Sequence, residues 1–510
     1  MRGIKRERVG IKISLNLRFL TTLKTSLMDL KKHKETEIYK ELECLLNQIK
    51  GYAEVDQAAH HVELNVYQQL LKLGKKLLMY YFYLVGERLK FLASPIDSSG
   101  KKMSNKGRVS RKYLSIFGEL EISRIKYFSK EDKVYYRMDQ QIGLPKDKYS
   151  YLLIDWLSFS STEMDFDQSV QLFNRILNQD LSAMQSSRAT YFLSKEVEGF
   201  YETKTWESKG DYLSLGLDGK GVPVIRSEIG RDKHSTSTRV ERGGRRGVKK
   251  EATVCVSSSF TARKRDAEEI IKALFRTEKL KKQVPHKFHE NKHMRAFIAN
   301  KIKGINYAVD NLIKRDPSGK KPIVVLIDGE PALRNQVKKI MTEKGIIDRM
   351  DSCILDFIHV LEKVWKVANA HLGEQSKERA SWVEQQARLL LTGKLKTVLG
   401  EWKKIQGAKK YSVTQAKNIK DAIRYCEKRE EMMDYKTFLS KGYPITTGAV
   451  ESACGHFVKS RMERAAMHWG LEGGQKMLNI RAVKKNGDWD QYVKDFIQKE
   501  QQQLYSKRAA

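Results

Sequence analysis

Cysteine and proline are scarce in this chain, acids are outnumbered, and no apolar run is long. The five cysteines (Cys44, Cys255, Cys353, Cys426, Cys454) lie far apart with no Cys-x-x-Cys pair. That spacing argues against a disulfide framework or a zinc ribbon and fits a reducing compartment. The longest apolar run, Leu77 to Val85, falls well short of the ~20 residues a bilayer span needs. Neither a basic amphipathic anchor nor a lipidation signal is evident, so no membrane partner is expected. Against 62 Asp+Glu stand 96 Lys+Arg, a net charge of +34. Such an excess repels itself unless a polyanion neutralises it, which points to nucleic acid and to a cytoplasmic, nucleoid-associated location. At 510 residues the chain has length for roughly two to four domains.

Three acidic residues stand out by their settings. Asp218 closes the run Tyr-Leu-Ser-Leu-Gly-Leu-Asp-Gly (212–219), and Asp328 closes Ile-Val-Val-Leu-Ile-Asp-Gly (323–329). Glu451 follows Pro-Ile-Thr-Thr-Gly-Ala-Val (444–450) at the start of a helical pattern. Two aspartates at the ends of buried strands and a glutamate on a late helix can converge on a pair of divalent cations. Such a pair activates the attacking oxygen and stabilises the leaving oxygen at a phosphate. Carboxylate oxygens are hard ligands, suited to Mg²⁺ or Mn²⁺. Asp-Gly is also a common turn pair, which by itself would explain Asp218 and Asp328 but not Glu451.

Apolar residues at Val62, Val66, Leu70, Leu73 and Leu77 recur at helical spacing and predict a packing or dimerisation helix. Residues 96–113 read as a polar, basic linker. Over 118–138 the alternation of Leu120 and Ile122, a turn at 129–132 and a return through Val134, Tyr135 and Tyr136 predict a hairpin. Phe166, Val170, Phe173 and Leu177 mark one helix, and Ser182 with Gln185 makes a capping box for a second. This resembles a helix-turn-helix whose Gln185, Ser186 and Arg188 could reach DNA; an ordinary helical hairpin is the competing reading. Segment 226–250 is rich in Arg, Lys and Gly and reads as a phosphate-gripping loop carrying Arg242, Arg245 and Arg246, or else as a solvated one. Thr253–Ser258 predicts a strand, 293–314 a helix and 351–359 a short strand. Alternating strand and helix gives an α/β core. Residues 360–440 carry Trp365, Trp382 and Trp402 with no proline, and read as an all-α insertion. His289-Glu290-x-x-His293 matches a zinc-protease pattern, but its polar surroundings and the cation Lys292 oppose that reading.

The arrangement resembles the DDE transposases of bacterial insertion sequences, most closely the ISKra group. The resemblance is carried by Asp218-Gly219, Asp328-Gly329, Leu355-Asp356-Phe357-Ile358-His359-Val360, Gly448 to Cys454, Val458 to Met462, Trp469, Gly473 and Met477 to Ala482. It spans roughly residues 60–485. It implies a ribonuclease H-like core with a helical insertion, metal-dependent cleavage at transposon ends and strand transfer into target DNA. It further implies that Asp218, Asp328 and Glu451 hold the metal ions. Asp356 and His359 match a Cys/Asp-x-x-His signature, and His359 is expected to assist catalysis by positioning water or phosphate rather than as a ligand, or else to be a core histidine satisfied by a neighbouring backbone carbonyl. Relatives often carry cysteine pairs near the N-terminal hairpin; 123–145 has none, so no zinc site is carried over. Lys459 and Arg461, on the helix of Glu451, are expected to hold adjacent phosphates or else to form a solvated helix face. Cutting two ends together calls for a homo-oligomer on double-stranded DNA. An inactive DNA-binding derivative, or a ribonuclease H-like nuclease without strand transfer, are the alternatives.

The expected organisation is a basic, unstructured extension (1–27), a helical region with linker (28–113), and a hairpin with helix-turn-helix-like DNA-binding domain (114–205). The catalytic core follows in two parts (206–359 and 441–487) around the insertion (360–440), with a tail at 488–510. The extension resembles a transit peptide only superficially, and an over-long start with Met28 as initiator is the plainer expectation.

Overall fold

Leu120 and Ile122 alternate with polar neighbours and form the inner face of a three-stranded antiparallel sheet, β1 (Ser104–Ser115), β2 (Gly118–Ser129) and β3 (Lys133–Tyr135). The sheet belongs to a computed structural model that describes residues 17–225, 248–275, 289–408, 410–446, 448–464 and 467–505. The side chains of 17–34 and 449 are not described. Strand β1 occupies most of the segment expected to be a linker. Its sequence is polar because the strand is largely exposed until Leu114 and Ser115, so solvent rather than a core selects its residues. Leu120 and Ile122 pack on Phe82, Val85 and Leu89 of the helix Ala59–Lys90. The predicted helix is therefore present, but its buried face lies beyond the expected stripe: Leu70 and Leu77 are about half exposed, at 51% and 48%. A second helix, Leu17–Glu54, runs through the expected boundary at residue 27. These elements, with Phe166–Ala189 and the segment from Lys494 on, make one of two compact units. The expected tail is helical, Trp489–Tyr505, and Tyr505 donates to the Leu144 carbonyl at 2.6 Å within this unit.

The other unit, Ser158–Asp165 with Thr190–Val493, is built on a mixed five-stranded sheet. Its strands are β4 (Tyr212–Val224), β5 (Val248–Phe260), β6 (Glu290–Ile298), β7 (Ile323–Ile327) and β8 (Met350–Leu355), in the order β6-β5-β4-β7-β8. The first three form an antiparallel meander, whereas β7 is parallel to both β4 and β8. Leu213, Leu215, Leu217 and the whole of Ile323–Ile327 are buried, as sheet positions covered on their faces should be. The helix Lys301–Arg315 lays Ile305, Val309 and Leu312 on this core. The region from Phe357 to Lys441 is helical apart from its connections. Val398, Trp402, Ile419 and Ile423 of that region belong to the same apolar cluster as the sheet. The helical region thus extends the packing of the sheet and does not stand apart from it.

Residues 290–298 are a strand where a helix was expected from 293, because polar side chains occupy inward positions. His293 and Arg295 are each 1% exposed. His293 Nε2 lies 2.5 Å from the Tyr307 hydroxyl, and the rings of Tyr201 and Trp206 pack on it. The zinc-protease reading fails here: two histidines on one helical face are required, whereas His293 sits in β6 and His289 precedes it, paired with Ser258 Oγ at 2.9 Å. Burial pushes the His289 imidazole down to about 4 and His293 well below its usual range. Both are neutral in the fold, and the unfolded chain protonates them near pH 6.5. Stability is therefore expected to be intact above pH 6.5 and to fall as pH drops toward 4. His289 alone contributes on the order of 3 kcal/mol, because each pH unit in that window is worth about 1.4 kcal/mol. Denaturant midpoints measured from about pH 7.5 to about pH 4.5 should show this loss, and His289→Gln should reduce it. A flat profile would place the histidines elsewhere.

Among the described residues no helix is long and apolar enough to cross a membrane.

Candidate metal and phosphate site

Register brings the aspartates together. Leu217 pairs with Ile327 across β4 and β7, and Ile327 pairs with Leu355 across β7 and β8. The next residue on each strand line is Asp218, Asp328 and Asp356. Asp218 and the first residues after β7 and β8, Asp328 and Asp356, therefore stand level in register on adjacent, parallel strand lines, whose spacing is ~4.8 Å. Asp356 stays in line because its amide donates to the Ile327 carbonyl at 3.0 Å.

The two Asp-Gly pairs behave differently. At Asp328 the strand ends in a turn: Asp328 Oδ1 accepts from the Glu330 amide at 3.0 Å, and Gly329 has φ +87°. A Cβ on Gly329 would meet Leu355 Cδ1 at 2.4 Å. At Asp218 there is no turn, since β4 continues to Val224. The expectation that Asp218 closes its strand is corrected: the residue is held mid-strand, half-buried, on the edge of the acidic row.

Glu451 arrives by a close approach. Gly216, two residues before Asp218, has no side chain, and a Cβ there would lie 2.2 Å from Val450 Cγ2. Val450 can seat on the strand only because that space is empty, and Glu451 follows it on the helix Gly448–Ala453. The incoming segment is pinned by the Phe357 amide, which donates to the Ile445 carbonyl at 2.9 Å. Burial, and then the negative charge of Asp356, raise the Glu451 carboxyl above its usual range; Asp218 adds to this and His359 opposes it. Cys454, one turn on, donates its Sγ hydrogen to Asp218 Oδ2 at 3.2 Å, and burial holds that thiol protonated.

His359 lies in the first turn of the helix Phe357–Leu372, capped by Asp356 through its Oδ1 and the Ile358 amide at 2.7 Å. It was expected at a strand end; β8 stops at Leu355, and the cap turns the chain into a helix at once. Asp356, His359 and Glu451 each place a ligand atom within 4.8 Å of the others. They form a group of metal-holding size among the described residues, and of the expected set Asp218, Asp328 and Glu451 it contains Glu451. Sequence reading gives Asp356 no metal role. A signal for one is present all the same, since Leu217-Asp218, Ile327-Asp328 and Leu355-Asp356 repeat one apolar–acid junction. The donor set fits a divalent cation: clustered carboxylates whose mutual repulsion a cation would relieve, at the edge of a buried sheet.

The residues expected to contact phosphate divide. Lys459 is exposed, whereas Arg461 is fully buried. Its Nε donates to the Ser161 carbonyl at 2.8 Å and its guanidinium stacks on Trp469. Arg461 is thus a packing residue, and its expected role on DNA is withdrawn. The helix after Glu451 is also not regular: Cys454–Lys459 is a π-turn. In the other unit the capping box is present, with the Ser182 amide donating to Gln185 Oε1 at 2.7 Å and the Gln185 amide to Ser182 Oγ at 3.4 Å. Gln185 therefore serves the cap, Ser186 is buried, and Arg188 is exposed. Arg242, Arg245 and Arg246 lie outside the described residues.

No protein-family model matches the chain, and no curated protein matches it.

Proposed function

We propose that the protein is a DNA transposase of the DDE type, with a ribonuclease H-like core that cleaves phosphodiesters at element ends and joins them to target DNA. The observation that carries this reading is the row Asp218, Asp328 and Asp356 on three adjacent parallel strand lines, with Glu451 delivered to it over Gly216. The strand order β6-β5-β4-β7-β8, an antiparallel meander continued by two parallel strands, agrees with a ribonuclease H-like core. The all-helical region between β8 and Glu451 agrees with an insertion in it. Divalent ions, Mg²⁺ or Mn²⁺, would supply charge for both the attacking and the leaving oxygen. Asp218, Asp328, Asp356 and Glu451 would hold them, and His359 stands beside Glu451, its Nε2 3.9 Å from Oε1. The +34 charge supplies attraction to the DNA backbone independent of sequence.

The test is incubation of the protein and a divalent ion with labelled DNA carrying the ends of its own element, followed by sequencing of products. Nicks at the ends and joined products support the reading, nicks alone reduce it to a nuclease, and intact DNA removes it. Neutralising Arg242, Arg245 and Arg246 together should weaken binding to any duplex. It should flatten the salt dependence by up to about 2.7, or ~0.9 for each of three phosphate contacts. An unchanged slope would mean that this segment does not grip DNA.

A further inference from the structure

We propose that Asp356, His359 and Glu451 bind one divalent transition-metal ion through two carboxylate oxygens and the imidazole Nε2. This makes a nitrogen-containing site of manganese class, not an all-oxygen magnesium site. Three observations converge on it. The ligand atoms of the three residues lie within 4.8 Å of one another. Around an ion with bonds of ~2.1 Å, neighbouring ligands stand about 3 Å apart and opposed ones about 4.2 Å, so closing on an ion needs only side-chain adjustment. Glu451, on its short helix and about a third exposed, has room for it.

The second observation is His359 Nε2 itself. It is shielded from water, has no hydrogen-bond partner, and faces Glu451 Oε1 at 3.9 Å, too far for a hydrogen bond. A buried ring nitrogen left without a partner is costly, and a cation between it and the carboxylate would satisfy both. The third is the opposite ring nitrogen. Nδ1 lies 3.5 Å from Glu362 Oε2, one turn along the same helix. Histidines that ligate metals regularly donate their other N–H to a carboxylate, which fixes the proton on that nitrogen and leaves the lone pair of its counterpart directed at the ion. Glu362 is placed for that role toward His359. Imidazole favours Mn²⁺, Zn²⁺ and their neighbours over Mg²⁺, which prefers oxygen and gives up its waters reluctantly.

The geometry has a further consequence. Asp218 and Asp328 stand in the same row but outside the ligand-sized group, so they remain available to a second ion or to substrate. Use of the bound ion in catalysis rests on the phosphoryl-transfer reading, whereas its binding does not.

The experiment is a titration of the full-length protein with Mn²⁺ alone, without DNA. Bound ion is counted by electron paramagnetic resonance, and its nitrogen ligands are read from pulsed-resonance modulation by ¹⁴N. Wild type should bind Mn²⁺ with coupling to one imidazole nitrogen. His359→Gln, with an unchanged thermal melt, should lose that coupling, and Asp218→Asn should keep it. Glu362→Gln should retain the coupling but weaken affinity by ~10–100-fold, the usual effect of losing such a supporting carboxylate. Mn²⁺ bound without ¹⁴N coupling, coupling that survives in His359→Gln, or no binding would overturn the site. Cleavage by a wild type that shows no nitrogen coupling would leave the transposase reading standing and remove this one. Coupling in a protein that never cleaves DNA would do the reverse.

Discussion

Asp218→Asn should abolish strand cleavage while leaving DNA affinity and folding nearly intact. The substitution keeps the shape of the side chain, and the Asn carbonyl oxygen can still accept the hydrogen bond that Asp218 Oδ1 receives from the Gly219 amide at 2.7 Å, while its NH₂ replaces the oxygen that accepts from Cys454 Sγ. What it removes is one negative charge from the middle of β4, beside Glu451 and level with Asp328 and Asp356. Losing one electrostatic stabiliser of a transition state costs ~10²–10³-fold. A residue that holds the ion itself should cost more, so the loss should exceed that range. Single-turnover cleavage of labelled end DNA, compared at matched DNA occupancy, measures it. A rate within about tenfold of wild type, well short of that loss, would remove Asp218 from the site.

The second large effect is on stability, and it falls on a residue distant in sequence from the acids. Arg481 is fully buried and donates from Nε to the Phe457 carbonyl at 2.8 Å and from Nη2 to the His456 carbonyl at 2.7 Å. Both carbonyls belong to the π-turn that follows Glu451. A π-turn interrupts the regular helical ladder, and Arg481 adds two side-chain donors that hold this turn. Arg481→Met fills the volume but removes both charged donors from the turn, leaving the His456 carbonyl the Ser460 hydroxyl, which donates to it at 2.6 Å. At ~1.5–3 kcal/mol for each hydrogen bond from a charged donor, a loss of about 3 kcal/mol is expected in urea unfolding. Arg481→Lys should rescue little, because an ammonium cannot reproduce the two-pronged guanidinium contact. Lys459→Ala, on the same turn but exposed, should stay within about 0.5 kcal/mol of wild type. An unchanged midpoint in Arg481→Met would deny the latch. A folded variant with reduced cleavage per molecule would tie it to the placement of Glu451.

Arg461 and Arg481 also show where sequence reading meets its bound. Both belong to blocks that carry the family resemblance, and a basic residue in a chain of net charge +34 reads most simply as a phosphate contact. Yet each is fully buried, and burial pulls both guanidinium groups down to about 10. Nothing in local composition separates an arginine that meets DNA from one that meets carbonyls, because the distinction is made by residues such as Ser161 and Phe457 that lie elsewhere in the chain. Strands β1 and β6 escape sequence reading for a related reason. Their polar residues carry no alternation, and pairing with β2 and β5 decides their conformation.

What the sequence determined by itself were the features with local causes. The apolar runs into Asp218 and Asp328 made strands because continuous β-branched and leucine side chains fill a sheet covered on both faces. The capping box at Ser182 and Gln185 formed because its two bonds span three residues. The helical region after β8 followed from its uninterrupted, proline-free pattern. Only the tertiary structure decided which carboxylates share a site. Parallel pairing set Asp218, Asp328 and Asp356 at one level, and the missing side chain of Gly216 admitted Val450 and with it Glu451. The cap at Asp356 turned His359 toward that glutamate. Register, close approach and helix entry are relations between segments up to 235 residues apart, since Gly216 meets Val450 and Glu451 follows. They exist as chemistry only once the chain has folded.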